Sequence, residues 1–190
     1  SRGWKAGGHG IVDITKAIIE SCTVFYYELG YRTGIDALSD YGLRFGLGHK
    51  TGIDLPGERS GVMPSPEWKR AARGVAWYPG DTINVGIGQG DLIVTPLQMA
   101  QTTAVIARQG TVITPSLVAS IGEQPVVSFV TDHIEIAEEH WTLVRGAMRD
   151  VVHSIHGTAH AINRNLETYE IAGKTGTAVS YTHLTLPTNR

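Results

Sequence analysis

An α+β domain is the fold class this sequence predicts, on three observations. Several segments carry apolar residues at helical spacing behind recognisable caps, and short extended segments lie between them. A strand-like phrase around a single lysine follows near the end, over Tyr169-Glu170-Ile171 and Ala172-Gly173-Lys174-Thr175-Gly176-Thr177-Ala178. Of the 190 residues, 42% are hydrophobic and 18% charged, which describes a globular chain with a sizeable core. No internal repeat, low-complexity stretch or linker is visible, so one domain is expected.

In chain order, Asp13 can cap a helix through Ile14, Ala17, Ile18 and Cys22. That helix either runs on through Phe25 and Leu29 to a stop at Gly30 or breaks at Ser21-Cys22-Thr23, since Ser and Thr are better caps than interior residues. Residues 46–61 read as loop and turn, with Pro56-Gly57 the sharpest signal. Ser65-Pro66-Glu67 opens a short helix. The chain turns at Pro79-Gly80 and then alternates Ile83, Val85 and Ile87 with small or polar residues, a period-two pattern.

Thr95-Pro96-Leu97-Gln98 is a capping box with proline at the first helical position, and its helix is expected to reach about Gln109 and stop at Gly110. Residues 111–120 and 126–130 read as short extended segments. Glu138 to His153 is a clear helix with Trp141, Val144, Met148 and Val151 on one face. Residues 179–190 do not continue a strand pattern. They resemble translated vector or adapter sequence, so the domain is taken as 1–178 and 179–190 as a non-native tail.

Charge excludes some functions. The net charge of −2 and pI near 6.4, without a Lys/Arg cluster, give no electrostatic footprint for nucleic acid. No apolar run has the length of a membrane span, and no signal-peptide pattern opens the chain. The single cysteine, Cys22, excludes an internal disulfide. The chain starts at Ser1 inside a glycine-rich phrase and reads as a piece of something longer.

The phrase around Lys174 carries the chemistry. Glycines on either side remove Cβ bulk, so a ligand or another backbone can approach closely. A fixed cation, two hydroxyls and open N–H groups suit a carboxylate beside a carbonyl that becomes an oxyanion. Lys-Thr-Gly is also found in penicillin-recognising serine enzymes, although three residues recur by chance. A lysine on a solvated strand is the alternative that the motif alone leaves open.

Further phrases decide between them. Ser21-Cys22-Thr23 precedes Val24-Phe25-Tyr26-Tyr27-Glu28-Leu29-Gly30; Thr51 to Gly61, Gly80-Asp81-Thr82, Gly86-Ile87-Gly88-Gln89-Gly90, Thr95-Pro96-Leu97-Gln98 and Gly157-Thr158-Ala159 follow in order. Together, over residues 3 to about 178, they resemble the transpeptidase domain of class B penicillin-binding proteins, within that group the elongation-type penicillin-binding protein 2 branch. The resemblance implies an antiparallel sheet flanked by helices plus an all-helical lobe, incomplete here, with the active site between sheet edge and lobe. It implies acyl transfer on D-alanyl-D-alanine stem peptides of peptidoglycan, with β-lactams trapped as stable acyl-enzymes.

Three elements meet in such sites: Ser-x-x-Lys, Ser-x-Asn and Lys-Thr-Gly. Ser21 matches the relay serine, and Thr23 stands at a substrate-lining position where the family has Asn, or Asp in some members. Lys174, Thr175 and Gly176 match the strand motif. Thr177 matches the position whose backbone N–H is half of the oxyanion hole. No Ser-x-x-Lys occurs in the chain, so the nucleophile and its base are expected upstream, and this piece alone is expected to be inert.

His9 and Cys22 stand thirteen positions apart, a spacing that in some penicillin-binding protein 2 members helps two aspartates bind zinc. Gly3 holds one expected carboxylate position, so a satisfied histidine and a small buried thiol are the preferred readings, and the metal stays undecided. No cofactor is expected. The glycine run 86–90 lacks the spacing and lysine of a phosphate loop. His153, His156 and His160 read as exposed or polar-lining, since Gly157 opposes a continuous helix. The resemblance also implies a bacterial inner-membrane protein with an extracytoplasmic catalytic domain, its anchor outside this piece, partnered by a SEDS-type glycosyltransferase. A penicillin-binding sensor or scaffold without transpeptidation is the alternative that Thr23 leaves open.

Overall fold

The structure, a computed structural model, describes residues 7–126, 129–163 and 169–176. Helix α1 spans Ile14–Ile19, and the Asp13 carboxylate accepts the Lys16 N–H at 2.8 Å. Of the two courses open to it, the chain takes the break. Ser21 adopts a left-handed φ of 51°, and Cys22 becomes the N-cap residue of α2, Thr23–Thr33. The Ser21 N–H reaches the Ile18 carbonyl at 3.4 Å and the Cys22 N–H the Ala17 carbonyl at 3.0 Å. These two bonds make a Schellman stop with serine where glycine is usual.

Helix α3, Ile35–Arg44, follows at once, and α4, Pro66–Arg73, starts where the Ser65 hydroxyl accepts the Trp68 N–H at 3.1 Å. The period-two stretch after Pro79 is not extended: it forms helix α5, Pro79–Val85. Proline at the first helical position presets φ. Asp81 then accepts the Tyr78 N–H at 2.7 Å and pairs with the buried Lys69 ammonium at 2.6 Å. Three apolar residues are too few to fix a period against that cap. Helices α2 and α5 cross at Gly30 and Gly86, where a Cβ on either would lie 3.0 Å from the other's Cα.

Helix α6, Pro96–Ala107, has the expected capping box: the Gln98 N–H meets Thr95 Oγ1 at 3.1 Å and the Thr95 N–H meets Gln98 Oε1 at 2.8 Å. Gln98 is fully buried, and its Nε2 donates to the carbonyls of His49 at 2.6 Å and Ser60 at 2.7 Å. One amide therefore satisfies the cap and ties down both sides of the 46–61 loop. Gln98→Leu leaves two carbonyls and one N–H without this partner. Urea unfolding is expected to show a loss of about 3 kcal/mol or more; a loss under about 1 kcal/mol would mean that water replaces the amide.

Strand β1, Thr111–Ile113, precedes the hairpin of β2, Ser120–Ile121, and β3, Gln124–Pro125. Strand β4, Val130–His133, returns antiparallel to β1 with Thr111 opposite His133 and Val112 opposite Asp132, and the register slips before Ile113. Helix α7 covers Glu138–His153, as its periodicity predicts, and α8 is the short His160–Asn163. The core lies where α1 meets α7: Ile18, Ala147 and Val151 are buried together, with Ile19, Tyr26, Met148 and Ala159 against them. Burying each larger side chain contributes roughly 1.5–3 kcal/mol.

Among the described residues, 169–176 pair with no strand, and the Gly173 N–H bonds to the Met148 carbonyl on α7 at 3.0 Å. Short helices with small antiparallel pairs remain consistent with an incomplete α+β domain. Among the described residues no helix is long and apolar enough to cross a membrane.

Candidate active site

Three chain segments converge beside the α1–α7 core. The first is the stop after α1. Its left-handed residue, Ser21, turns a hydroxyl outward at a point fixed by the two Schellman bonds. A non-glycine residue held at positive φ costs of order 1 kcal/mol, and such residues concentrate at functional sites.

The second segment is the turn after α7. Gly157 lies so close to the end of that helix that a Cβ would overlap the carbonyl oxygens of Asp150 and Val151. The approach lets the Ala159 N–H bond to the Val151 carbonyl at 3.0 Å and the Thr158 N–H to the Ile19 carbonyl of α1 at 3.2 Å. Two helix C-termini are thus joined through one short turn, and an orphan carbonyl of each is satisfied.

The third segment is 169–176. Arg149 on α7 grips Glu170 through Nη2 at 2.8 Å and Nε at 3.2 Å, and the Gly173–Met148 bond docks the next turn. The Arg149–Glu170 pair raises the guanidinium pKa and lowers that of the carboxyl, but it is exposed and fixes position more than it adds stability.

Where the segments meet, the Lys174 ammonium donates to Ser21 Oγ across 153 positions of sequence and to the Thr175 carbonyl at 3.0 Å. Thr175 Oγ1 lies 3.3 Å from Ser21 Oγ and 2.7 Å from Thr158 Oγ1. One cation and three hydroxyls therefore form a connected group. An ammonium has no lone pair, so Ser21 Oγ is the acceptor and its own hydrogen is directed elsewhere. Partial burial pulls the Lys174 pKa below the ordinary lysine value of 10.5. Burial also pushes the Tyr26 phenol, which packs against the α1–α7 core, up to about 12, with Cys22 adding to the rise.

The structure brings together Ser21, Lys174 and Thr175. Thr23 opens α2 two residues beyond Ser21 and is half-buried, while Gly176 is exposed at the end of the described segment. Thr177, the 179–190 tail and Gly3 lie outside the described residues. The sequence pattern assigns Thr158 no role; its place in the hydroxyl group depends on the Gly157 contact, which no local pattern states. His9 Nε2 stands 3.7 Å from Glu20 Oε2, and Cys22 is buried as a free thiol. No set of three or more His, Cys, Asp or Glu side chains among the described residues is placed to hold a metal. His156 is exposed, whereas His153 and His160 are half-buried.

Residues 1–187 match the family described as penicillin binding protein transpeptidase domain. The chain belongs to that family. It is 44% identical over 182 residues to the peptidoglycan D,D-transpeptidase MrdA of Acinetobacter baumannii, covering 93% of this chain and 26% of that protein. Among solved structures it resembles Pseudomonas aeruginosa PBP2 in complex with WCK 5153, with a TM-score of 0.86 and 42% identity over 93% of this chain and 40% of that one. It also resembles the Helicobacter pylori complex of PBP2 with MreC, with a TM-score of 0.77 and 32% identity over 92% of this chain and 32% of that one. The chain thus spans about a quarter of its MrdA relative. Its penicillin-binding transpeptidase fold is that of the PBP2 structures.

Proposed function

We propose that this chain is the C-terminal part of the transpeptidase domain of an elongation-type peptidoglycan D,D-transpeptidase. The observation that carries the reading is the hydrogen bond from Lys174 to Ser21, which joins two motifs far apart in sequence. Ser21 relays a proton toward the leaving nitrogen. Lys174 holds the substrate carboxylate and supplies positive potential where negative charge develops. Thr175 and Gly176 line the path of the peptide, Thr23 lines it from α2, and the Thr177 N–H donates to the oxyanion. The nucleophilic serine and its lysine come from a preceding part of the full-length protein. There the serine attacks the penultimate D-alanine carbonyl, D-alanine leaves, and a second stem peptide's amine takes the acyl group.

On this reading the full-length protein sits in the bacterial inner membrane with this domain outside the cytoplasm. The Helicobacter pylori relative is seen with MreC, which supports a partner from an elongation machinery for this protein; a SEDS-type glycosyltransferase is the further partner this reading proposes. A fluorescent penicillin followed by a cross-linking assay tests the reading. The full-length protein is expected to label and to cross-link stem peptides, and the 190-residue chain alone is expected not to label. Labelling without cross-linking would favour a penicillin-binding sensor. No labelling of the folded full-length protein would refute both.

A further inference from the structure

Thr158 belongs to no assigned role, yet it makes the shorter of the two side-chain contacts to Thr175. Its hydroxyl is 2.7 Å from Thr175 Oγ1, against 3.3 Å for Ser21 Oγ. Its backbone is also held on both sides, since its own N–H bonds to the Ile19 carbonyl and the neighbouring Ala159 N–H to the Val151 carbonyl. The hydroxyl thus stands on the ends of two packed helices, α1 and α7. Thr175 is exposed on a segment that docks on α7 at Gly173, and its carbonyl accepts from the neighbouring Lys174 side chain.

A threonine hydroxyl has one hydrogen and two lone pairs, and its rotor settles where partners fix it. At Thr175 the partners are Thr158, on a rigid mount, and Ser21, itself polarised by Lys174. We infer that Thr158 is a positioning residue for the acyl-transfer site: through its hydroxyl it holds the Thr175 side chain facing Ser21, and so keeps the Ser21–Lys174 pair in register with the incoming carbonyl. The inference rests on the transpeptidase reading above. Thr158 touches no reacting atom and acts only through Thr175.

The test is a set of acylation rates for a chromogenic β-lactam on the full-length protein. Thr158→Val keeps the shape and removes the hydroxyl, and it is expected to slow acylation about fivefold to tenfold, the worth of one ordered hydrogen bond. Thr158→Ser is expected to restore the rate to within about twofold, which a merely structural role of the methyl group would not do. In a Thr175→Val background, Thr158→Val is expected to add nothing, because its route to the site is already gone. A wild-type rate for Thr158→Val, or a full and independent loss in the Thr175→Val background, overturns the inference. Failure of the serine variant to recover while the protein stays folded by thermal unfolding overturns it as well. Lys174→Ala and Ser21→Ala run beside these variants: normal rates there refute the transpeptidase reading itself, whereas slow rates there with a normal Thr158→Val rate refute only the role of Thr158.

Discussion

Lys174→Ala in the full-length protein is expected to slow acylation by penicillin about a hundredfold or more, the usual cost of one preorganised donor. The side chain occupies the meeting point of three segments and donates to Ser21 and to the Thr175 carbonyl, so on the proposed roles its removal takes away both a carboxylate anchor and the polarising partner of the relay hydroxyl. Folding is expected to be little affected, because the α1–α7 core does not include Lys174. Partial burial lowers its pKa, and the form that serves the proposed role is the ammonium. The charged state is therefore complete at low pH and is lost as pH rises through a value below 10.5. The acylation rate should fall on the alkaline side within that range. Lys174→Arg, which stays charged, should remove the alkaline fall even if its poorer fit lowers the plateau. A loss of less than about tenfold for the alanine variant would mark Lys174 as a peripheral cation.

Ser21 gives a prediction in which activity and stability separate. Its backbone is left-handed at φ 51°, and it ends α1 as a glycine would. Ser21→Gly relieves about 1 kcal/mol of backbone strain, offset in part by the greater freedom of glycine in the unfolded chain. The variant is expected to unfold at or slightly above the wild-type temperature and yet to acylate at least about tenfold more slowly. Ser21→Ala keeps the strain, loses the same hydroxyl, and should match the glycine variant in rate but not in stability. Wild-type acylation in either variant would remove the relay role. A glycine variant less stable than the alanine one would contradict the Schellman account of the turn.

That serine also shows what the sequence discloses. Asp13, the Thr95–Gln98 box and the apolar face of α7 were legible because caps and helical periods are local. The break at Ser21 was one of two options, and the choice fell to tertiary bonds: the Ile19 carbonyl accepts from Thr158, and Ile18 packs on α7. Helix α5 is not legible locally because three alternating apolar residues imitate a strand. The deciding partner, Lys69, lies twelve positions before Asp81. The stretch 169–171 alternates like a strand, but its segment docks on α7 through Arg149 and Met148. Ser21 and Lys174 could be paired from motif chemistry, whereas Thr158 could not. Nothing in Gly157-Thr158-Ala159 says that its glycine is pressed against a helix end and its hydroxyl carried to Thr175.

A crystal structure of the full-length protein acylated by a penicillin puts the central point most plainly to the test. The expected result is Lys174 Nζ within about 3 Å of Ser21 Oγ, both turned toward the acyl group, with the ligand carboxylate on the lysine side. Finding the two side chains on separate faces, with the acyl group touching neither, would contradict it.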